Sequence, residues 1–216
     1  MLLQGELLMS TTDDSPKSLR YERVRKDKMG RLNLPHIKPL TEFVGEIRSE
    51  TGLGNNIPYF DPDDGGINAR CLFLLEASGP KAVESGFISR NNPDETAKNA
   101  FIMNQEAGIP REITVSWNIV PWYIGDGQKI RGAKKQDIHD GLPYLFRLLE
   151  LLPKLEVIVL VGKKAQRVSK DIERQMPGIL LKNMHHPSPQ NMNTRPEYRE
   201  EVRKTLKEIA EYLGVG

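Results

Sequence analysis

The chain has 216 residues, 31 Lys+Arg against 29 Asp+Glu for a formal charge of +2, and a composition 38% hydrophobic and 28% charged. That length suits one α/β domain and falls short of two, the composition is that of a soluble globular protein, and no apolar run reaches the roughly 20 residues that span a bilayer. The single cysteine, Cys71, excludes a disulfide framework, a Cys-rich zinc site and a four-Cys iron–sulfur cluster; it fits a reducing cytosol and chemistry that needs no metal or cofactor.

The opening Met1–Met9 is apolar but has no basic residue before it, and Ser10–Pro16 offers no small-residue cleavage site, so it reads as a frayed leader. Whether Met1 or Met9 is the true start stays open. From Lys17 to Arg31 basic residues outnumber acids, and residues 1–35 are expected to form a flexible basic arm, solvated or gripping phosphate, ahead of a domain over 36–216. Leu40 to Ser49 reads as a helix, and Pro58–Gly66 as a surface loop rich in turn formers.

Four apolar runs of strand length follow: Cys71–Leu75, Ile113–Val120, Val157–Val161 and Ile179–Leu181. Continuous apolar runs mark strands buried on both faces of a parallel sheet. Helical patterns separate them. Asn92 is placed to cap a helix with Pro93 at its first position, and Gly108 to stop it; Ile138, Leu142, Leu145, Leu149 and Leu152 form an apolar stripe ending at Pro153. A further helix is expected from about Lys164 to Met176, and the last one is expected to open on a Thr194–Glu197 capping box. The alternation predicts a three-layer α/β/α sandwich around a four-stranded parallel sheet. Ligands of such sheets bind where the strands end at their carboxyl edge, so Glu76–Phe87, Asn118–Gly125, Gly162–Lys164 and Asn183–Asn193 are the segments that matter.

The last of these contains His185-His186-Pro187-Ser188-Pro189. Adjacent histidines on an extended strand end point to opposite sides and rarely share one ion, so no metal site is expected; the prolines fix a rigid turn. His186-Pro187-Ser188-Pro189 resembles the HPSP motif of the uracil-DNA glycosylase superfamily. Leu75-Glu76-Ala77-Ser78-Gly79-Pro80 is similar to that superfamily's GEAPG-type first motif, Gly86-Phe87 to the segment whose phenylalanine stacks on uracil, and Asn118 to the asparagine that reads the uracil edge. The resemblance covers about residues 70 to 213.

It implies a monofunctional DNA glycosylase that flips a uracil or related deaminated base into a pocket and hydrolyses its N-glycosidic bond, acting in base-excision repair as a monomer in the cytoplasm, on single- or double-stranded DNA. His186 would donate to O2 of the leaving base, Phe87 would stack on it, and the Asn118 amide would pair with O4 and N3–H, a pattern cytosine cannot match. Ala77 stands where several branches have a water-positioning Asp or Asn, which leaves Glu76 to orient water or order the loop. Gly79 replaces the tyrosine that rejects thymine, so 5-substituted uracils are admitted unless Trp122 or Tyr123 closes the pocket; Trp117, Trp122 and Tyr123 divide between pocket lining and core. Ser78 stands in place of a proline, and the cluster usual in the GEAPG branch has no ligands here. Ser188, Lys163, Lys164 and Arg195 would bind phosphates, and Gln190 holds the position of a leucine wedge, a role that Met192 could take over. Two alternatives stay open: preference for hypoxanthine or xanthine, and a catalytically weak nucleic-acid-binding member of the same fold.

Overall fold

The computed structural model describes residues 13–126 and 130–215; the Met1–Met9 leader lies outside them. The first ordered helices are α1 (Glu22–Gly30) and α2 (Lys38–Thr51), followed by the short strand β1 (Tyr59–Phe60) and the long strand β2 (Cys71–Ser78). Next come α3 (Pro80–Ser85), the short strand β3 (Phe87–Ile88), α4 (Glu95–Glu106) and β4 (Thr114–Tyr123). The second half runs α5 (Lys135–Glu150), β5 (Val157–Val161), α6 (Gly162–Ala165), α7 (Ser169–Gln175), β6 (Leu180–Met184), α8 (Pro189–Thr194) and α9 (Pro196–Tyr212). No helix of the described residues is long and apolar enough to cross a membrane.

The main sheet has the order β4-β2-β5-β6 with every pair parallel, as the apolar runs predicted. β2 sits inside it and alternates sides. Leu72 and Leu74 face a core built with Phe43, Ile47 and the α5 leucines, while Cys71 and Phe73 face a second core closed by Val202, Leu206 and Ile209 of α9. Helices therefore cover both faces, which is what strands apolar on both sides require. Close packing on β4 needs Gly141: a Cβ there would lie 2.1 Å from the Ile119 carbonyl oxygen.

Three expectations about helix ends change. Asp94, not Asn92, caps α4, its Oδ1 accepting from the Ala97 N–H at 2.9 Å. The Thr194–Glu197 capping box does not form, because the Thr194 hydroxyl bonds the Gln190 carbonyl and closes α8 instead. The turn after His186 continues into α8, with the Ser188 hydroxyl as its cap.

The segment Lys17–Arg31 also departs from a solvated arm. Leu19, Val24 and Lys28 are buried, and α1 packs on the domain. The reason is an ion network under the Pro58–Gly66 segment, which for the same reason is not a simple surface loop. Lys28 Nζ donates to both Asp61 oxygens at 2.6 and 2.8 Å and to Asp63 at 2.5 Å. Arg111 donates to Asp61 and Asp64, each at 3.0 Å. The two buried cations hold the Asp61 carboxyl well below the usual carboxylate range despite its burial, whereas burial pushes Asp64 up to about 6. Basic residues that looked free in sequence are in part internal counter-ions.

Candidate active site

A cavity of about 510 Å³ opens at the carboxyl edge of the sheet. The ends of β2, β4 and β6 deliver its polar groups: Glu76, Ala77, Ser78 and Gly79 from the first, Asn118 from the second, His186 just after the third. Register explains the convergence, since Leu75 pairs with Asn118 and parallel strands end together.

Asn118 is 3% exposed, and its Nδ2 donates to the Ser78 hydroxyl at 3.0 Å. The Ser78 hydroxyl gives its own hydrogen to the Pro121 carbonyl at 3.5 Å, so toward Asn118 it is an acceptor, and the serine that replaces the motif's proline thereby orients the amide. Beyond Ala77 the β2–β4 register shifts, so Ser78 pairs with Tyr123 and its side chain reaches back toward Asn118. Gly79 precedes α3 with no atom within 4 Å of where a Cβ would stand, which leaves the pocket open beside it.

His186 lies mostly inside the protein, and desolvation lowers its pKa, opposed by the negative charges of Glu76 and Asp94. Near pH 7 its imidazole is therefore neutral and offers one N–H donor. Gly162 adopts φ +83°, and a Cβ there would come within 3.3 Å of the His186 Cβ; glycine at this turn is what lets the histidine sit so close to the β5 end. The Asn191 amide donates to the His186 carbonyl at 3.0 Å and the Asn99 amide to the Pro187 carbonyl at 2.9 Å, tying the turn to α8 and α4.

Glu76 Oε1 accepts from the Ala133 N–H at 2.5 Å, and Lys164 donates to the Ala133 carbonyl. Together they fasten the strap that brings Ile130, Arg131 and Gly132 into the cavity lining. Loop ordering, one of the two roles expected of Glu76, has a bond behind it, and Lys164 is committed to the strap rather than free for phosphate.

Several expected residues lie elsewhere. Phe87 does not line the cavity; it is fully buried with Leu19, Val24 and Leu32 because β3 pairs with β1 and turns the ring toward α1. The aromatic ring that does line the cavity is Phe73. Trp117 stacks on Phe60 at 4.2 Å in the opposite core, and Trp122 meets Tyr144 edge-on at 6.0 Å. Neither tryptophan nor Tyr123 lines the cavity. Met192 is 3% exposed in the α9 core, so it is no wedge, whereas Gln190, Lys163 and Arg195 are exposed. Ser188 is half-buried, its Oγ accepting from the Asn191 N–H at 3.4 Å.

The main residue missed in sequence is Asp94. It lines the cavity, burial raises its pKa, and its charge acts on His186. As a helix cap it carried no catalytic signal. Ser116, which also lines the cavity, was detectable: it stands two residues before Asn118 and so on the same face of β4. Among the described residues no cluster of three or more His, Cys, Asp or Glu is placed to hold a metal.

Comparison with curated proteins finds no match. A solution NMR structure of a candidate uracil DNA glycosylase from Methanosarcina acetivorans is similar at 16% identity with a TM-score of 0.44, covering 65% of this chain and 91% of that one. The family model described as the uracil DNA glycosylase superfamily matches residues 54–210, the span that runs from β1 to α9 and contains every cavity-lining group described above. The chain therefore belongs to the uracil DNA glycosylase superfamily.

Proposed function

We propose that the protein excises uracil from DNA as a monofunctional glycosylase. One observation carries the reading: the oriented amide of Asn118 and the neutral imidazole of His186 face one cavity at the sheet's carboxyl edge. A base inside a duplex cannot reach such a cavity, so the nucleotide is flipped or taken from a single strand. Asn118 then donates to O4 and accepts from N3–H. With one Nδ2 hydrogen held by Ser78, whose own hydrogen goes to the Pro121 carbonyl, turning the amide over to suit cytosine would break both bonds.

The C1′–N1 bond breaks with its electron pair moving onto the base, where the anion spreads to O2 and receives the His186 N–H. Charge stabilisation by a preorganised donor in a water-poor pocket is the main source of rate in such a step. Water attacks C1′ and passes its proton to Asp94, a carboxylate whose raised pKa suits a base. Uracil and an abasic site are the products, and the base anion takes a proton from solvent. At the mouth, Ile130 is 38% exposed and supplies an apolar wedge in place of Met192. Lys163, Arg195 and Ser188 face the phosphates.

An oligonucleotide with one uracil, incubated with protein and then with alkali, is expected to be cut at that site. Intact strands with uracil opposite adenine or guanine, in single strands, and with hypoxanthine would sink the reading.

Two substitutions test the roles. Asp94→Asn keeps the helix cap, since asparagine caps as well as aspartate, but removes the base. Its melting temperature is expected to stay within a few degrees while kcat falls about 10²–10⁴-fold, the range for general base catalysis. The wild type should lose activity as pH falls through the raised Asp94 pKa, and the variant should lose that acid limb; a persisting limb would assign the proton to another group. Ser78→Ala frees the Asn118 amide and is expected to lower the uracil-over-cytosine ratio of kcat/KM by about 3- to 10-fold, the worth of one hydrogen bond. An unchanged ratio would show that Ser78 does not orient the amide.

A further inference from the structure

The cavity is larger than the base proposed for it. Its volume of about 510 Å³ lies in the range of pockets for drug-sized molecules, while Asn118, His186 and Gly79 all stand toward the carboxyl ends of β4, β6 and β2. The inner part runs between the sheet and helices α4 and α9, walled by Phe73, Met103 and Leu206. Strand geometry sets its depth. Thr114, Ser116 and Asn118 share one face of β4 and each two-residue step covers about 6.6 Å, so Ser116 lies one step behind Asn118 and Thr114 two.

This apolar chamber contains polar groups with unused capacity. Arg90 lines it and, among the described residues, makes a single hydrogen bond, from Nη2 to the Thr114 hydroxyl at 2.6 Å. Asp64, the carboxylate that most favours its charge, is engaged by Arg111 at 2.8 Å, and Arg90 itself forms no ion pair among the described residues. Asn104 of α4 is 4% exposed; its Nδ2 donates to the Ala100 carbonyl at 2.8 Å, and its buried Oδ1 has no hydrogen-bond partner among the described residues. Turning that amide over would set oxygen against the Ala100 oxygen, so the unpaired atom is an acceptor awaiting a donor. A void left merely by imperfect packing would be lined by aliphatic groups; this one offers a cation and an orphan acceptor.

We infer that the inner chamber takes an anionic arm carried by the flipped base, with the anion on Arg90, a hydrogen-bond donor of the arm on Asn104, and an apolar stem against Phe73 and Leu206. The inference rests on the base-pocket reading above and extends its substrate class to uracils whose C5 substituent is an extended arm with its carboxylate at the far end, long enough to reach Arg90 two strand steps behind Asn118. The C5 position neighbours the O4 that Asn118 would read, and the open space at Gly79 gives the arm room to start.

Fluorescence anisotropy would compare oligonucleotides whose target nucleotide carries a cleavage-resistant 2′-fluoroarabino sugar. The bases are uracil, uracil with a C5 carboxyacetamidomethyl arm, and the same arm ending in a neutral primary amide. The carboxylated arm is expected to bind at least tenfold tighter than its amide twin, and Arg90→Gln to bring the two level. Asn104→Leu removes the acceptor and should weaken both arms. If Arg90→Gln does not fold, Ser116→Leu fills the passage and should bring both arms down to plain uracil. Equal affinity of the two arms in the wild type, or a tenfold preference that survives in a folded Arg90→Gln, overturns the chamber. Calorimetry with the two free arm-bearing bases separates the readings: if the free carboxylated base binds tenfold tighter while uracil DNA is neither bound nor cut, the chamber stands and the glycosylase reading falls.

Discussion

Replacing His186 with alanine is expected to lower kcat on a uracil oligonucleotide by about 10²–10³-fold, the cost of removing one preorganised donor to a developing anion. Burial keeps the imidazole neutral, so its N–H acts as a hydrogen-bond donor to O2 rather than as a full positive charge. Loss of the donor should therefore appear in kcat far more than in KM, because the base gains negative charge only as the bond breaks. Single-turnover cleavage of saturated wild type and variant measures this directly, and a melting scan confirms that the fold persists. A loss under about threefold would remove His186 from the reaction and leave Asn118 as a recognition residue without a catalytic partner.

Lys28→Ala is expected to destabilise the protein by about 3–5 kcal/mol, the cost of breaking a buried ion pair from one side. Lys28 is 1% exposed and meets Asp61, which is equally buried, so the substitution leaves a carboxylate with Arg111 as its remaining cationic partner. The same depressed Asp61 pKa fixes the sign of the pH dependence. An acid whose folded pKa lies below its unfolded value contributes stability above the unfolded value and loses it as pH falls through the folded one. Asp64, raised to about 6, favours the folded state as pH falls toward the ordinary carboxylate range, so the loss due to Asp61 is expected below that range, and Lys28→Ala should flatten that loss. Denaturant unfolding at several pH values reads both. A change under about 1 kcal/mol would mean that the network exchanges with water, and α1 would then be the loosely held arm its charge suggested.

The layered fold was legible because fully buried apolar runs such as Val157–Val161 are separated by helical stripes; the pattern weakens only at the edge strand β6, where Lys182 and Asn183 follow Leu180 and Leu181. Asn118 and His186 were legible because their motifs resemble those of the superfamily and because one lies late in such a run and the other just beyond one, near the edge where parallel sheets present side chains. Phe87 was not. Its motif position matched, but one more strand pairing, Tyr59 with Phe87, turned the ring away from the cavity, and only the three-dimensional neighbourhood of α1 records that. Asp94 was hidden for a different reason, since an N-cap aspartate and a catalytic one look alike until the cavity wall is known.

The amino-acid order alone determined the strand and helix alternation and the edge at which chemistry gathers, because these follow from periodicity and from where strands must stop, and motif resemblance picked out Asn118 and His186 at that edge. Tertiary structure decided which groups share a cavity and which cations are spent internally: Arg90 against Arg111, Phe73 against Phe87, Ile130 against Met192. Each pair is alike in chemistry. What separates its members is burial and the partner across space, quantities fixed by packing between segments that are distant in the chain.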